Sequence, residues 1–399
     1  MTRRQLALAV YLPTFLLAFG QGIVLPTMPL YALEFDPSVG KASIAVAALA
    51  FGTMLADLPS GMILEKLGRR PMMLLGTVLV ALSYLGLALA QAYPELLVYR
   101  FVGGIGTSFW GISRLAFMTD VIPIESRGRS LSVFGGIQRI GTFVGPVTGG
   151  LVASIFDLRA AFFVAAALGL SATLMSFVFV PETRPAVPTS FRGRWRVIGG
   201  VLRRNWKDLL GAGSAQIFAQ AIRSGRQIIV PLYGATVIGL NAAEVGTIIS
   251  ISAVIDMSLF LPAGLLMDRL GRKYASIPSF VVMAAGMALM PLADSFITLL
   301  VATAVMGVGN GLGSGTMMTL GADLAPPDAA GEFLGLWRLV GDAGQMSGPI
   351  VVGGVADVIG LAPAALVLAG VGLLAAGTIY IAVEETLKRP PASQRSAAG

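Results

Sequence analysis

Three carboxylates, Asp57, Asp256 and Asp342, and six arginines, Arg100, Arg114, Arg139, Arg223, Arg226 and Arg338, stand inside stretches otherwise built of apolar residues. Ions in such surroundings are costly and mark functional positions. The chemistry open to them is narrow, because the chain has no His and no Cys. Thiolate nucleophiles, disulfides, haem ligation and the usual zinc sites are thereby excluded, and no imidazole titrates near neutral pH. Any proton must move on carboxylates. At ~1.5 Å of rise per residue, Asp57 lies about 12 Å beyond Glu65, and Arg139 and Asp342 about 15 Å beyond Arg129 and Glu332. Arg114 and Arg338 lie about 9 Å from Asp120 and Glu332 by the same rise. Asp57, Asp256, Asp342, Arg139, Arg338 and Arg114 are thus the candidates for holding and releasing a proton, or an ion pair, within the apolar stretches. Arg100, Arg223 and Arg226, together with Gln21, Gln138, Trp110, Asn310 and Trp337, are the candidates for a substrate cavity. Simpler arrangements compete: Arg338 and Asp342 are i, i+4 neighbours able to neutralise each other, and Arg114 could hold Asp57.

The elements that carry these residues are read from composition. Of 399 residues, 55% are hydrophobic and 12% charged, with mean hydropathy +0.81. A soluble domain carries about 25% charge, so most side chains here meet lipid or other helices. A hydrocarbon core of ~30 Å needs about 20 apolar residues per helix. Twelve apolar runs qualify: 6–33, 42–64, 72–91, 95–119, 130–155, 160–180, 208–235, 245–267, 275–292, 296–322, 333–358 and 362–382. The fold class expected is all-α, a polytopic membrane protein with both termini on one side. Of the 28 Lys and Arg, 20 fall in the segments on the side of the N-terminus and two, Lys41 and Arg159, in the loops opposite. Positive residues stay inside, so both termini are expected in the cytoplasm and the protein in the plasma (inner) membrane. The start, Met1-Thr-Arg-Arg, reads as an uncleaved first helix. The net charge of +7 is an orientation signal, and no nucleic-acid partner is expected.

The longest loop, 181–207, divides the chain into units at 1–180 and 208–382, with a tail at 383–399. Phe191, Trp195, Ile198, Leu202 and Trp206 recur in the loop at helical spacing with arginines between them, a pattern that fits a helix lying in the headgroup region or a basic linker that enforces topology. Adding 203 to positions in the first unit finds their counterparts in the second. Gly61, Glu65, Gly68, Arg69 and Arg70 become Gly264, Asp268, Gly271, Arg272 and Lys273; Asp120 becomes Asp323; Gly145-Pro146 becomes Gly348-Pro349; Glu182-Thr183 becomes Glu385-Thr386. A single offset implies duplication of a six-helix unit, with an axis along the membrane normal. The sequence Gly307-Val-Gly309-Asn310-Gly311-Leu-Gly313 lies within a span with no preceding strand, and no Gly-x4-Gly-Lys-Ser/Thr occurs, so ATP hydrolysis is not expected. Neither a metal site nor a cofactor is foreseen, and no enzyme.

Gly61 through Arg70 and Gly264 through Lys273 resemble the loop signature of the major facilitator superfamily, with Glu65 where Asp is usual. The fifth-helix run Gly141, Gly145, Pro146, Gly149, Gly150 is similar to the pattern of its drug:proton antiporters, and Arg100 through Gly106 resembles its fourth-helix signature, with Gly103 where Gln is common. The resemblance implies twelve transmembrane helices in two pseudo-symmetric six-helix bundles (the major facilitator fold), alternating access without ATP, and proton-coupled efflux of amphiphilic small molecules, with protons and membrane lipid as further partners and a monomeric state. It also implies that helices two and eleven, and five and eight, meet across the bundles, bringing Asp57 near Arg338 and Asp256 near Arg139. A second reading, transport of organic anions or lipid-like amphiphiles, follows from the arginine excess. Two more expectations concern packing. Loops 2–3 and 10–11 are expected to latch one face through opposite charges, with Asp268 and Arg127 or Arg129 as the reciprocal pair. The stripe of Gly141, Gly145 and Gly149 is expected at the seam between the bundles.

Overall fold

The computed structural model describes residues 3–183 and 194–387, which are helical, with no strand among them. Twelve long helices follow in order: α1 (Arg4–Phe35), α2 (Val39–Leu67), α3 (Arg69–Leu89), α4 (Tyr93–Val121), α5 (Ile124–Ile155), α6 (Leu158–Phe179), α7 (Trp206–Leu232), α8 (Ala242–Arg269), α9 (Arg272–Leu289), α10 (Phe296–Leu324), α11 (Ala330–Ile359) and α12 (Leu361–Ala382). Among the described residues, eight of them are long and apolar enough to cross a membrane by composition alone; α4, α5, α7 and α11 are as long but less apolar. All six embedded arginines lie on those four.

Helix boundaries follow local chemistry. Ser38 caps α2 and Asp157 caps α6, each side-chain oxygen accepting from a backbone N–H three residues on, and Asn241 with Glu244 forms a capping box at the start of α8. Two helices are interrupted. α8 bends at Leu259, where Pro262 has no N–H to offer the Ser258 carbonyl. α10 breaks between Leu312 and Thr316, where Gly315 has φ +79°. The glycine run of α10 is a packing surface: Gly307 and Gly311 rest on Ser252 and Asp256 of α8, and Gly309 on Ser279 and Met283 of α9.

Pairings in the first half recur in the second. α1 packs on α5 and α6, α2 on α4, and α3 on α4 and α6; α7 packs on α11 and α12, α8 on α10, and α9 on α10 and α12. Each half has its own apolar core. The halves touch chiefly through α2 against α11 and α5 against α8. Large apolar side chains such as Leu261, Leu292, Met318, Val358 and Ile381 face outward, as a surface covered by lipid tails requires.

The face carrying the α2–α3 and α8–α9 loops is the basic face. Among the described residues no ion pair joins the α2–α3 loop to the α10–α11 loop; Arg69 and Arg272 are each tied within their own half. Arg69 Nε donates to Asp120 at 2.8 Å and its backbone N–H to Glu182 at 3.1 Å, while Arg272 Nε donates to Asp323 at 2.9 Å and its N–H to Glu385 at 2.9 Å. Gly68 (φ +91°) and Gly271 (φ +123°) turn the chain, and a Cβ on either would strike the glutamate that caps the next helix. Asp268 pairs with Arg272; the side chains of Arg127 and Arg129 lie outside the described residues. On the opposite face the halves are clasped. Asp357 of α11 accepts from Ser38 Oγ at 2.8 Å and from Gly40 N–H at 3.0 Å, and Ser154 of α5 accepts from Ala243 N–H at 2.9 Å. Gly40 and Ala243 are themselves 203 residues apart.

The glycine stripe is also relocated. Gly141, Gly145 and Gly149 pack on Phe15, Gly22 and Ile23 of α1, inside the first half; Gly150 and the Pro146 carbonyl meet Ala242 and Gly246 of α8 across the seam. The linker helix Arg194–Arg204 reaches the second half through Arg204 and Asp328, 3.1 Å apart and both well exposed, a pair worth only about 0–1 kcal/mol. Phe191 lies outside the described residues, as do the side chains of Trp195 and Ile198.

Candidate functional site

The two seams between the halves carry the embedded acids. At the α2–α11 seam, Asp57 lies 2.7 Å from Arg338 Nε, and Ser108 Oγ donates to its other oxygen at 2.5 Å. Asp342, one turn beyond Arg338, is 4.0 Å from the same Nε and faces the Asp57 carboxyl. At the α5–α8 seam, Asp256 accepts from Asn310 Nδ2 at 2.5 Å and lies 4.0 Å from Arg139. Arg139 in turn donates to Ser314 at 2.5 Å and sits 4.4 Å from the Phe260 ring centre. Both clusters share one trait: Asp57 Oδ2, Asp256 Oδ1 and Asp342 Oδ2 are buried yet have no hydrogen-bond donor directed at them.

Arg114 does not hold Asp57. Its guanidinium lies 4.2 Å from the Phe134 ring centre and 5.6 Å from that of Trp110, a cation–π arrangement. Arg223 donates to the Gly313 carbonyl at the α10 break, at 2.9 Å, and stacks near Phe280. Arg223 and Arg226, which sequence reading leaves without an acid, both feel the charge of Asp256.

Among the described residues, polar cavities line the interface. One, about 500 Å³, is bounded by Gln138, Arg139, Arg223, Asp256, Asn310 and Ser314 among others. A second, about 190 Å³, shares Asp256 and Asn310 and adds Arg226 and Gln227. A third, about 60 Å³, holds Arg100, Gln21, Gln227 and Gln345. Two expected cavity residues belong elsewhere. Trp110 is 5% exposed and Trp337 4%; Trp110 packs in the first core, and Trp337 stacks with Phe333 and donates its Nε1–H to the Met317 carbonyl at 3.0 Å.

Sequence reading missed Ser108, Ser314, Gln227 and Gln345. A signal for the first existed. Thr53 reaches the Gly104 carbonyl, Asp57 meets Ser108 and Arg69 meets Asp120, each 51 residues apart. The second half repeats the interval at Ser252–Thr303 and Arg272–Asp323. α2 runs parallel to α4, and α8 to α10, so contacts along each pair keep a fixed offset, and Thr53–Gly104 predicts Asp57–Ser108.

The major facilitator superfamily model matches residues 10–255 and 213–398. The chain belongs to the major facilitator superfamily. Superfamily relatives include the quinolone resistance protein NorA of Staphylococcus aureus, 21% identical over 384 residues, covering 94% of this chain and 95% of that protein. An uncharacterized MFS-type transporter of Methanocaldococcus jannaschii is 21% identical over 358 residues, covering 88% and 92%. Among solved structures, a D-xylose-proton symporter superposes with TM-score 0.77 at 17% identity, covering 97% of this chain and 99% of that one. The human organic anion transporter MFSD10 does so with TM-score 0.69 at 18% identity, covering 95% and 100%. The chain is therefore a multi-pass membrane transporter of small molecules, not an enzyme.

Proposed function

We propose that this transporter is a proton-coupled exporter of amphiphilic small molecules working by alternating access. The observation that carries the reading is the placing of all three embedded acids at the two seams, each held to an arginine across or along the seam and each keeping one oxygen without a donor. When the halves rock, the seam pairs part, and a carboxylate that loses its arginine in apolar surroundings takes a proton in its place. Uptake on one side and release on the other couples the proton gradient to the substrate. The cavity arginines and Asp256 then exchange substrate and proton on the same groups. Units 1–180 and 208–382 are the two moving bodies, all twelve helices span the plasma membrane, and both termini are cytoplasmic, with the basic face inside. The protein works as a monomer.

Transport of organic anions is favoured by a separate observation. Arg100 and Arg226 line the inner cavities with guanidinium nitrogens that lack acceptors. The likeness to NorA brings the readings together, because a quinolone carries a carboxylate on an aromatic frame. The test is ΔpH-driven quinolone transport in proteoliposomes for Asp57→Asn, Asp256→Asn and Asp342→Asn. Loss of coupling is expected most strongly for Asp256→Asn, then Asp57→Asn. Full coupling in all three variants overturns the assignment.

A further inference from the structure

The small Arg100 cavity lies back to back with an apolar groove on the outside of the same seam. The groove, about 490 Å³, is lined by Ile44, Ala47, Phe51, Phe101, Met346 and Ile350 among others, and no polar atom contributes to its surface. Ile44, Phe51 and Ile350 are among the exposed large apolar residues, so the groove opens towards lipid tails. Ala47 lines both spaces. Around it, adjacent residues part to opposite sides: Arg100 inward and Phe101 outward on α4, Gln345 inward and Met346 outward, Pro349 inward and Ile350 outward on α11. Neighbouring residues thus divide a polar chamber from a space open to the bilayer, and Ala47, a small residue, borders both.

The chamber is built for an anion. Arg100 is 7% exposed, and its Nε has no acceptor. Among the described residues no carboxylate pairs with it, and the titratable group that acts on it is the phenol of Tyr84. An uncompensated guanidinium in a span is costly, and Gln21, Gln227 and Gln345 add amide donors beside it. A chamber of about 60 Å³ holds only a few water molecules, so the matching head is compact: a carboxylate, not a bulky phosphodiester.

We propose that the α2–α11 seam is a side entrance for single-chain alkyl carboxylates, with the carboxylate held on Arg100 and the chain in the groove. Arg100 lies seven residues into α4, about 10 Å from the opposite face, so the ligand exchanges with the leaflet on that side, the one into which the proposed exporter releases. This deepens the transport reading above by naming a substrate class, and it rests on that reading for the later step of release.

The experiment measures equilibrium binding of laurate to the protein in phosphatidylcholine nanodiscs, with empty nanodiscs subtracted. Saturable laurate binding is expected, weakened at least tenfold in Arg100→Gln and largely restored in Arg100→Lys. Dodecylamine and butyrate, which lack the charge or the chain, are expected to bind at least tenfold more weakly than laurate. Ala47→Phe fills the shared wall at a buried position and is expected to abolish laurate binding and to lower the melting temperature; Ile350→Trp, on the exposed side of the groove, is expected to weaken laurate binding at least tenfold with a melting curve like that of the parent and serves as the deciding variant if Arg100→Gln fails to fold. Equal laurate binding in the parent and in a folded Arg100→Gln, Ala47→Phe or Ile350→Trp variant overturns the proposal, as does butyrate binding as tightly as laurate. Binding needs no proton gradient. Failure here with ΔpH-driven transport intact removes only the side entrance; loss of coupling with laurate binding intact removes only the proton-coupled reading.

Discussion

Removing the carboxylate of Asp357 tests whether the clasp on the opposite face holds this conformation closed. Asp357 accepts two hydrogen bonds, from Ser38 Oγ at 2.8 Å and Gly40 N–H at 3.0 Å, and both donors sit at the first turn of α2, in the other half. Each bond contributes about 0.5–1.5 kcal/mol net, and the exposure of the site keeps the pair at the lower end, about 1–2 kcal/mol together. That sum changes the ratio of open to closed forms by roughly 5–30-fold. If the open form of the parent is populated at about 1%, a common figure for a minor state, Asp357→Ala raises it to roughly 5–20%. The chain has no cysteine, so spin labels at Gln91→Cys and Asp294→Cys, in opposite-face loops of the two halves, report the separation directly. A longer-distance population should grow in Asp357→Ala, grow further with Ser154→Ala added, and grow less in Asp357→Asn, which keeps one acceptor. An unchanged distance distribution in the double variant would show that the clasp plays no part in closure, and the rocking scheme would lose its gate on this face.

Other substitutions separate fold from function. A Cβ at Gly246 would meet the Pro146 carbonyl across the α5–α8 seam, whereas one at Gly264 would meet nothing within 4 Å. Gly246→Val should therefore cost about 1–3 kcal/mol by overpacking and lower the melting temperature. Gly264→Val should leave melting unchanged yet abolish transport, since the basic-face end of α8 must approach the first half when that face closes; normal transport in Gly264→Val refutes this. Glu385 is opposed by partial burial, but hydrogen bonds from the N–H groups of Leu387, Arg272 and Lys273 hold its carboxyl below the ordinary 4.5. Its contribution to stability is then present above pH 4.5 and lost as pH falls through the lowered value. Melting temperatures across pH 3–7 should show Glu385→Gln destabilised at neutral pH and less pH-dependent than the parent; parallel curves refute it.

Much of the architecture was legible because the duplication is written in the side chains. A constant offset of 203 carries the loop motif, its acidic partners and the clasp donors alike. The loop charges were misplaced for a physical reason: a buried arginine takes a carboxylate that its own half offers, and Asp120, at the end of α4, meets Arg69 at 2.8 Å. The glycine stripe was misplaced because spacing shows that a helix has a close neighbour without showing which. Trp110 and Trp337 were misread as cavity residues because periodicity alone does not separate an inward face from a core. Gln227 and Gln345 escaped notice because an isolated amide in a span carries no pattern.

The four helices that fail the apolarity test are those that hold the six arginines, and this explains both their sequence and the cavity they line. A helix facing lipid on any broad arc cannot carry a mid-span guanidinium; one shielded by neighbours can, provided something answers the charge. Arg338 and Arg139 are answered by seam acids, Arg114 by two aromatic faces, and Arg223 by a carbonyl exposed where α10 breaks. Arg226 shares the field of Asp256, which is already engaged with Arg139 and Asn310. Among the described residues Arg100 has no such answer, and its Nε lacks an acceptor. Every seam acid is thus committed to an arginine in this conformation, so a proton can displace an arginine only if that arginine gains another negative partner. In the coupling proposed above, a substrate anion would be that partner, and proton and substrate would be linked through the arginines that each releases or occupies.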